Sequence, residues 1–492
     1  MRFHLFLTKT HLFMKLATLL SKLLLLVCFL AMASGLAAQG STTAAMNGRI
    51  TDAMGEPLIG ANVQAVHLPS GSQYGNSTDL KGYYRIPGMR VGGPYKVTIS
   101  YTGFETQEYD DIYLDLGQAF RLSADLSESA VQLEGVEVVA NQSDIFDGNR
   151  TGQETVINEE TINEMPTITR SIADFARLNP LASIDEGSDG FEISIAGQNN
   201  RLNAIYIDGA VNNDVFGLAG SGTNGGQTGA VPISIDAIEQ FQVSVAPYDV
   251  RLGGFAGGAI NAVTRSGTNE FEGSVYWLYR NEKLAGRSPL SDDEVDQRNE
   301  GVVEPDELFE RQRLDPFTAQ TAGFRLGGPL VKNKLFFFVN AEIQRDRIPQ
   351  PFENFETRYR GDSDRGTINQ LINKIDEFGY DPGTFENNQS SLDRTFILAK
   401  LDWNINENHK LSLRHSVNDI ENLEARSSNP FDLGFQNGSE FFLSTTNSTA
   451  VEWNGLFGNN LSNNLKIGYT RVRDDRDPLG EPFPSVEIED GA

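Results

Sequence analysis

Apolar and polar residues alternate with a period of two in seven short runs over the second half of the chain, at 273–280, 320–328, 335–344, 394–405, 410–418, 448–457 and 465–472. Ile397, Ala399, Leu401, Trp403 and Ile405 fall on one face of a strand, and Lys400, Asp402 and Asn404 on the other. Phe337, Val339, Ala341 and Ile343 oppose Asn340, Glu342 and Gln344, and Leu411, Leu413 and Val417 oppose Lys410, Ser412, Arg414 and Ser416. Val451, Trp453 and Phe457 oppose Glu452 and Asn454. The connections alternate in length. The long ones are 281–319, 345–393 and 419–447, and the short ones 329–334, 406–409 and 458–464. A half-buried soluble sheet alternates in the same way, but it has no reason to alternate its loops. A transmembrane antiparallel β-barrel does, with short periplasmic turns and long outer loops. Trp277, Tyr279, Trp403, Trp453 and Tyr469 suit interfacial girdles.

The N-terminus agrees with export. Residues 1–38 read as a cleaved signal peptide, with Arg2, Lys9, Lys15 and Lys22 ahead of or beside the apolar run Leu23–Met32. That run is too short to span a bilayer as a helix. Translation could start at Met1 or Met14. Cys28 is the only cysteine and lies in this segment, so the mature chain carries no disulfide framework. The formal charge is −27, and −31 without the four signal cations, which argues against nucleic acid as a partner. Runs such as 291–310 and 474–477 read as solvated loops.

Between the signal and the alternating half lie three regions. Residues 46–126 carry short strands separated by turn residues, as in a β-sandwich. The order Gly48-Arg49-Ile50-Thr51-Asp52, Gly55-Glu56-Pro57-Leu58, Gly60-Ala61-Asn62-Val63, Thr78-Asp79, Gly82-Tyr83-Tyr84-Arg85-Ile86 and Gly103-Phe104 resembles the carboxypeptidase-regulatory-like domain. That resemblance implies a transthyretin-like fold without catalytic residues, of the kind that begins outer-membrane receptors of the Bacteroidetes type. Residues 127–150 are a polar linker with one extended apolar patch, Glu134, Gly135, Val136, Glu137, Val138 and Val139. Such a patch suits addition to another protein's sheet edge; a last sandwich strand, or plain linker, is the bland reading.

Residues 151–268 have an α/β texture. Ile162–Asn179 has helical periodicity broken by Pro166 and Pro180. Ile193–Gly197 and Ala204–Gly209 read as strands, and Gly217–Gly229 as a flexible glycine-rich loop. The pieces Ile193–Gly197, Ile207-Asp208-Gly209, Ile238-Glu239 with Val243, and Gly257-Gly258-Ala259-Ile260-Asn261 resemble, in order, the plug domain of TonB-dependent outer-membrane receptors. Two departures stand out. Ala196 occupies the place of the family's usual arginine, and Ala246-Pro247-Tyr248-Asp249-Val250 replaces its proline–tyrosine pattern. With Thr264–Asn269 they point to the Oar-like branch.

The resemblance implies a mainly β protein in the Gram-negative outer membrane. A transthyretin-like β-sandwich precedes an α/β plug and then the first strands of a barrel, over about 270–492. It implies a receptor, not an enzyme, that binds an extracellular ligand and imports it with energy transduced by periplasmic TonB. Glu134–Val139 then lies where the TonB box belongs. Partners are TonB and outer-membrane lipid, and the ligand is unknown (glycan, peptide or metal chelate). A surface or adhesive structural protein without transport, and a secreted carbohydrate-binding sandwich protein, are the competing functions. Single-chain bacterial barrels have even strand counts from eight upward, and a plug of roughly 115 residues suits one near the 22-stranded class. Seven strands are therefore expected to be the N-terminal part of a larger receptor.

No cofactor or metal site is predicted. His67, His409 and His415 lack metal-ligand spacing and read as solvated or lumen-facing. Gly217–Gly229 has no lysine in P-loop register, and Asp185–Gly190 lacks the terminal acid of an EF-hand.

Overall fold

The structure, a computed structural model, describes residues 40–128, 136–139, 153–167, 170–187, 190–245, 252–287, 313–350, 352, 355–458 and 461–481. The predicted signal, and Glu134 and Gly135 of the linker patch, lie outside these residues.

The first layer is a two-sheet sandwich. One sheet holds β4 (Tyr83–Met89), β1 (Ala44–Asp52) and β7 (Ala119–Arg121), with β8 (Ala124–Leu126) also pairing β1. The other runs β3 (Ser72–Ser77), β2 (Asn62–His67), β5 (Gly92–Ser100), β6 (Gln107–Leu114) and β9 (Val136–Val139). Alternate inward residues Met46, Ile50, Val63, Tyr95, Val97 and Ile99 are fully buried between the sheets, each aliphatic side chain contributing roughly 1.5–3 kcal/mol. Turn chemistry fixes the strand order. Asp79 accepts from the backbone N–H groups of Lys81 and Tyr83 at 2.8 and 2.9 Å. Gly82 then turns at φ +79°, where a Cβ would meet the Ile50 carbonyl oxygen at 2.6 Å. His67 departs from expectation: it is buried in this core, its Nδ1 lies 2.7 Å from Ser70 Oγ, and its ring is 5.0 Å from that of Tyr95. Burial, then the nearby Arg90 charge, holds its pKa well below the ordinary 6.5.

The second layer is the plug. Its sheet runs β10 (Gln153–Ile157), β15 (Ile238–Val245), β16 (Gly258–Thr264), β13 (Ala204–Ile207) and β14 (Ala210–Val211), with β13 and β16 parallel. The hairpin β11 (Ala182–Gly187) and β12 (Gly190–Ile195) packs beside it. The helical pattern over 162–179 resolves into two short helices, α1 (Glu159–Glu164) and α2 (Ile172–Ala176), the second opened by a Ser171–Asp174 capping box. Pro166 explains the break, since it cannot continue the ladder. Phe175, Phe191, Ile193, Phe241 and Val243 share the core. Two strand ends shift from the sequence reading. Ala196 and Gly197 are a turn with φ +53° and +73°, and Asp208-Gly209 is a two-residue hairpin turn with φ +48° and +76°. Both Asp208 and Gly209 take the left-handed conformation that a type I′ turn requires.

The third layer is a seven-stranded antiparallel sheet in sequence order: β17 (Glu272–Asn281), β18 (Thr318–Val331), β19 (Leu335–Gln350), β20 (Asn388–Asn404), β21 (His409–Glu424), β22 (Glu440–Phe457) and β23 (Leu461–Pro478). Each predicted run lies within one of these strands, except that Ile405 falls one residue past the end of β20. All are longer than the runs, and all but β17 have 14 to 18 residues, where a tilted strand needs only about 9–11 to cross the hydrocarbon. In β19 to β22 the excess lies almost wholly at the outer ends, where polar residues keep the ladder and stitch it with charge: Arg347 donates to both Asp393 carboxylate oxygens at 2.8 and 3.0 Å. The outer connections are correspondingly shorter than predicted. One of them folds on itself: α3 (Phe355–Arg358) and α4 (Arg365–Glu377) enclose Phe352, Phe355, Ile368 and Phe385.

The faces divide as the alternation requires. Ile397, Leu401, Trp403 and Leu413 are exposed on the outer face, with Trp277, Tyr279 and Tyr469. Arg394, Lys400, Arg414, Asn340 and Glu342 are buried on the inner face against the plug. His415 is neither solvated by loops nor lumenal: it shares the outward parity of Leu413 and lies 2.9 Å from Thr449 Oγ1.

The three short turns lie at the end nearest the sandwich. Asn333 donates its N–H to Asn269 at 2.7 Å beside Gly71, and Asn404 donates to Ser72 Oγ at 2.8 Å. The plug feeds β17 from this same end. Cysteine placed at Asn333 is therefore expected to stay unlabelled by an impermeant thiol reagent on intact cells, while cysteine at Glu377 on α4 is labelled; the reverse pattern would invert the topology.

Candidate functional site

The contact between plug and barrel wall is built from buried charge. Asp208, aimed by its hairpin turn, accepts from Thr264 N at 2.9 Å and from Thr264 Oγ1 at 2.7 Å. Lys400 Nζ of β20 lies 3.8 Å from Asp208 Oδ1 and donates to the Thr264 carbonyl at 2.8 Å. Arg414 of β21 places Nε 3.2 Å from Asp208 Oδ2 and donates to the Ile207 carbonyl at 3.1 Å. Burial alone would raise the Asp208 pKa, but Lys400, Arg414 and the Thr264 donors outweigh it and hold the carboxyl below its ordinary value.

A second polar knot lies further round the wall. Arg394 donates to Glu342 Oε1 at 2.6 Å and to Asn418 Oδ1 at 2.9 Å. Glu342 Oε2 accepts from Tyr276 of β17 at 2.5 Å and from Ser234 of the plug at 2.9 Å, and Asn418 donates to the plug's Val231 carbonyl at 3.3 Å. Between the knots, Phe338, Phe396 and Leu398 of the wall join the plug core. The inner face is thus not purely polar, as alternation alone suggested, because the plug supplies apolar surface for these three residues to cover.

On the outer side, plug loop and strand ends enclose an open cleft of about 380 Å³, lined by Phe216, Leu218, Gln227, Phe442, Asp474 and Arg476. Arg476 sits 4.0 Å over the Phe442 ring and donates to Gln227 at 2.9 Å. Phe216 and Leu218 remain more than half exposed at the apex of the plug. The Gly217–Gly229 loop is folded rather than loose: Ser221, Thr223, Asn224 and Thr228 are buried, and Gly225 turns at φ +71° where a Cβ would meet Ser444 Oγ at 2.8 Å.

On the inner side, the sandwich docks across plug and wall. Arg90 donates to the carbonyls of Ser266 and Gly267 at 3.1 Å each and lies 3.6 Å from Glu239. Burial, only partly offset by Arg90, raises the Glu239 pKa. Gln240 of the plug accepts from Leu116 N at 2.9 Å and donates to Asp115 at 3.0 Å, over an apolar contact of Val91, Leu116 and Val263. Of the six candidate box residues, the structure describes the backbone of Val136–Val139 and sets it as β9, parallel to β6 at the edge of the sandwich.

Residues 45–127 match the family model of the carboxypeptidase regulatory-like domain, 147–260 that of the TonB-dependent receptor plug domain, and 263–358 with 373–489 that of an outer membrane beta barrel domain. The chain belongs to the TonB-dependent outer-membrane receptors. The receptor is 31% identical over 270 residues to the TonB-dependent transporter Oar of Myxococcus xanthus, a match covering 53% of this chain and 23% of that protein. It is 30% identical over 132 residues to the probable TonB-dependent siderophore receptor PirA of Acinetobacter baumannii, covering 25% and 17%. Among solved structures, the outer membrane transporter YddB from Escherichia coli aligns with a TM-score of 0.45 at 13% identity, covering 66% of this chain and 39% of that one. The matched span is thus less than a quarter of the length of either of these curated relatives.

In the receptor, the residues that sequence reasoning overlooked are those of the two knots. Lys400, Arg414, Arg394 and Glu342 were visible only as polar strand positions. Their signal was full charge at mid-strand on the lumenal parity, which costs heavily unless a partner waits inside.

Proposed function

We propose that the receptor binds an extracellular ligand in the cleft between plug apex and outer strand ends, and imports it with energy delivered by TonB through Glu134–Val139. The observation that carries this reading is the chemistry of the plug–wall contact. Two knots of hydrogen-bonded charge, around one small apolar patch, hold the plug in register. Directional polar contacts can be re-formed with water as the plug shifts, whereas a wholly apolar interface could not exchange its partners so readily. The exposed Phe216 and Leu218 beside Arg476 and Asp474 give the cleft apolar and charged faces for an amphipathic ligand. Periplasmic TonB is the partner on the other side, and outer-membrane lipid surrounds the strands. The test compares small molecules accumulated by cells with and without the gene, before and after collapse of the proton gradient. A gene-dependent solute whose accumulation stops with the gradient is expected. Accumulation that is gene-dependent but insensitive to the gradient, or absent altogether, would favour an adhesive or structural role.

A further inference from the structure

We propose that the sandwich and the plug are one moving body, and that the seam which parts is the one between the sandwich and the barrel wall. The order of parting is a property of the two seams themselves and does not depend on what the receptor imports.

The seams differ in kind. Towards the plug the sandwich packs directly. Val91 and Leu116 close on Val263 of β16, and all three are at most 5% exposed. Around this apolar patch, Arg90 donates to the Ser266 and Gly267 carbonyls and lies beside Glu239. Gln240 accepts from Leu116 N and donates to Asp115. A dry apolar centre ringed by charge-assisted hydrogen bonds carries most of an interface's strength.

Towards the wall the contacts are separate and polar. Asn404 donates to Ser72 Oγ at 2.8 Å, Lys410 to the Gln73 carbonyl at 3.0 Å and Lys466 to the Gly40 carbonyl at 2.6 Å, while Thr42 donates to Glu452 Oε1 at 2.7 Å. The Lys410 ammonium also lies 3.9 Å from the centre of the Tyr74 ring, but on a four-carbon stem that can let go without moving its strand. Among the described residues, no cluster of buried apolar side chains joins sandwich to wall. A polar cavity of about 100 Å³ lies between them instead, lined by Ser72, Arg90, Lys400, Asp402, Lys410 and Glu452. It has room for several waters. Asp402 Oδ2 and Arg90 Nε, which are buried and find no hydrogen-bond partner among the described residues, are the atoms such water completes. Each wall contact can therefore be exchanged for water one at a time, whereas the plug contact has to be lost as a unit.

A shift of the plug then carries the sandwich with it and opens the charged cavity along the inner ends of β20 to β22. On the import reading above, which this consequence rests on, a solute leaves the lumen along the wall, past Lys400, Asp402 and Lys410.

The test labels the two seams in the whole receptor, in detergent, through a urea series with a maleimide. Ala450→Cys and Ser72→Cys face the cavity from wall and sandwich, and Val263→Cys and Val91→Cys face each other across the plug seam; all four positions are buried. The labelling rate reports the opening of each seam. At the urea concentration that first exposes Ala450→Cys and Ser72→Cys, Val263→Cys and Val91→Cys are expected to react at least about tenfold more slowly, the margin that one charge-assisted hydrogen bond supplies. Ala450 and Val263 make the decisive comparison, because neither substitution removes a polar contact; should either variant fail to fold, Ser72 or Val91 takes its place. Plug-seam positions that react as early as the wall-seam positions, or earlier, would overturn the proposal. No ligand, TonB or proton gradient enters the measurement, so its failure would leave the import reading standing, and failure of that reading would leave the order of parting intact.

Discussion

Removing residues 134–139 from the receptor is expected to abolish cross-linking to TonB while leaving the protein in the outer membrane. Val138→Pro is expected to do nearly the same with one atom group changed. In strand addition the affinity comes mainly from main-chain hydrogen bonds. Proline removes a donor and fixes φ, so at least one interstrand bond is lost and its partner left unmade. That costs on the order of 1–3 kcal/mol, a loss of capture of about fivefold to 150-fold. Val138→Ala keeps every backbone group and should reduce capture by less than about threefold, since it loses only about two methyl groups of partly formed contact. The sandwich core of Met46, Ile50, Val63, Tyr95, Val97 and Ile99 is built within residues 40–128 and should be untouched. Melting of residues 40–128 by themselves provides that control. Capture that survives both the proline and the deletion would show that TonB engages elsewhere.

The second large effect is expected at the Asp208 knot. Asp208→Asn keeps the positive-φ hairpin turn, which asparagine tolerates, and keeps nearly the same volume. It leaves Lys400 and Arg414 buried without their counter-charge. Breaking a buried pair by removing one partner costs about 3–5 kcal/mol, because the remaining charge is uncompensated. The lower end applies here, since Lys400 still donates to the Thr264 carbonyl and Arg414 to that of Ile207. The expected readout in detergent is earlier proteolysis of the plug and a lower urea midpoint for its release, with the barrel strands still heat-resistant. Lys400→Met should cost less in the Asp208→Asn background than alone, since the two residues share one interaction. A urea midpoint unchanged in Asp208→Asn, or strict additivity with Lys400→Met, would remove the knot from the account of how the plug is held.

The order of sandwich, plug and barrel strands, and the side of each strand that meets lipid, were legible in the sequence, because both are local. Period-two alternation is written in neighbouring residues: Ile397, Leu401 and Trp403 had to face away from Lys400 whatever lay inside. Turn residues such as Asp79 and Gly82 mark their strand ends within a few positions. Strand lengths were underread because the outer ends of β19 and β20 are polar on both faces, and only pairing partners such as Arg347 and Asp393 reveal that the ladder continues. The folded loop holding α4 hid its signal behind its charges, although Ile368, Ile372 and Ile375 are spaced for a helix. His67 offered no signal at all, since burial in the sandwich depends on Tyr95 and Ser70 closing over it.

What the tertiary structure alone decided is which distant residues meet. Asp208 is an ordinary turn residue until the hairpin is placed inside the wall, where Lys400 and Arg414 reach it. Arg90 is a loop arginine until the sandwich docks on the Ser266 and Gly267 carbonyls. Val136–Val139 has extended propensity in any context, and only the unfilled edge of β6 decides where it pairs. Such contacts depend on register accumulated over many strands, and their energies come from removing charge and backbone dipoles from water. A linear pattern records which residues can form strands, but the desolvation that selects their partners exists only once the layers have closed on one another.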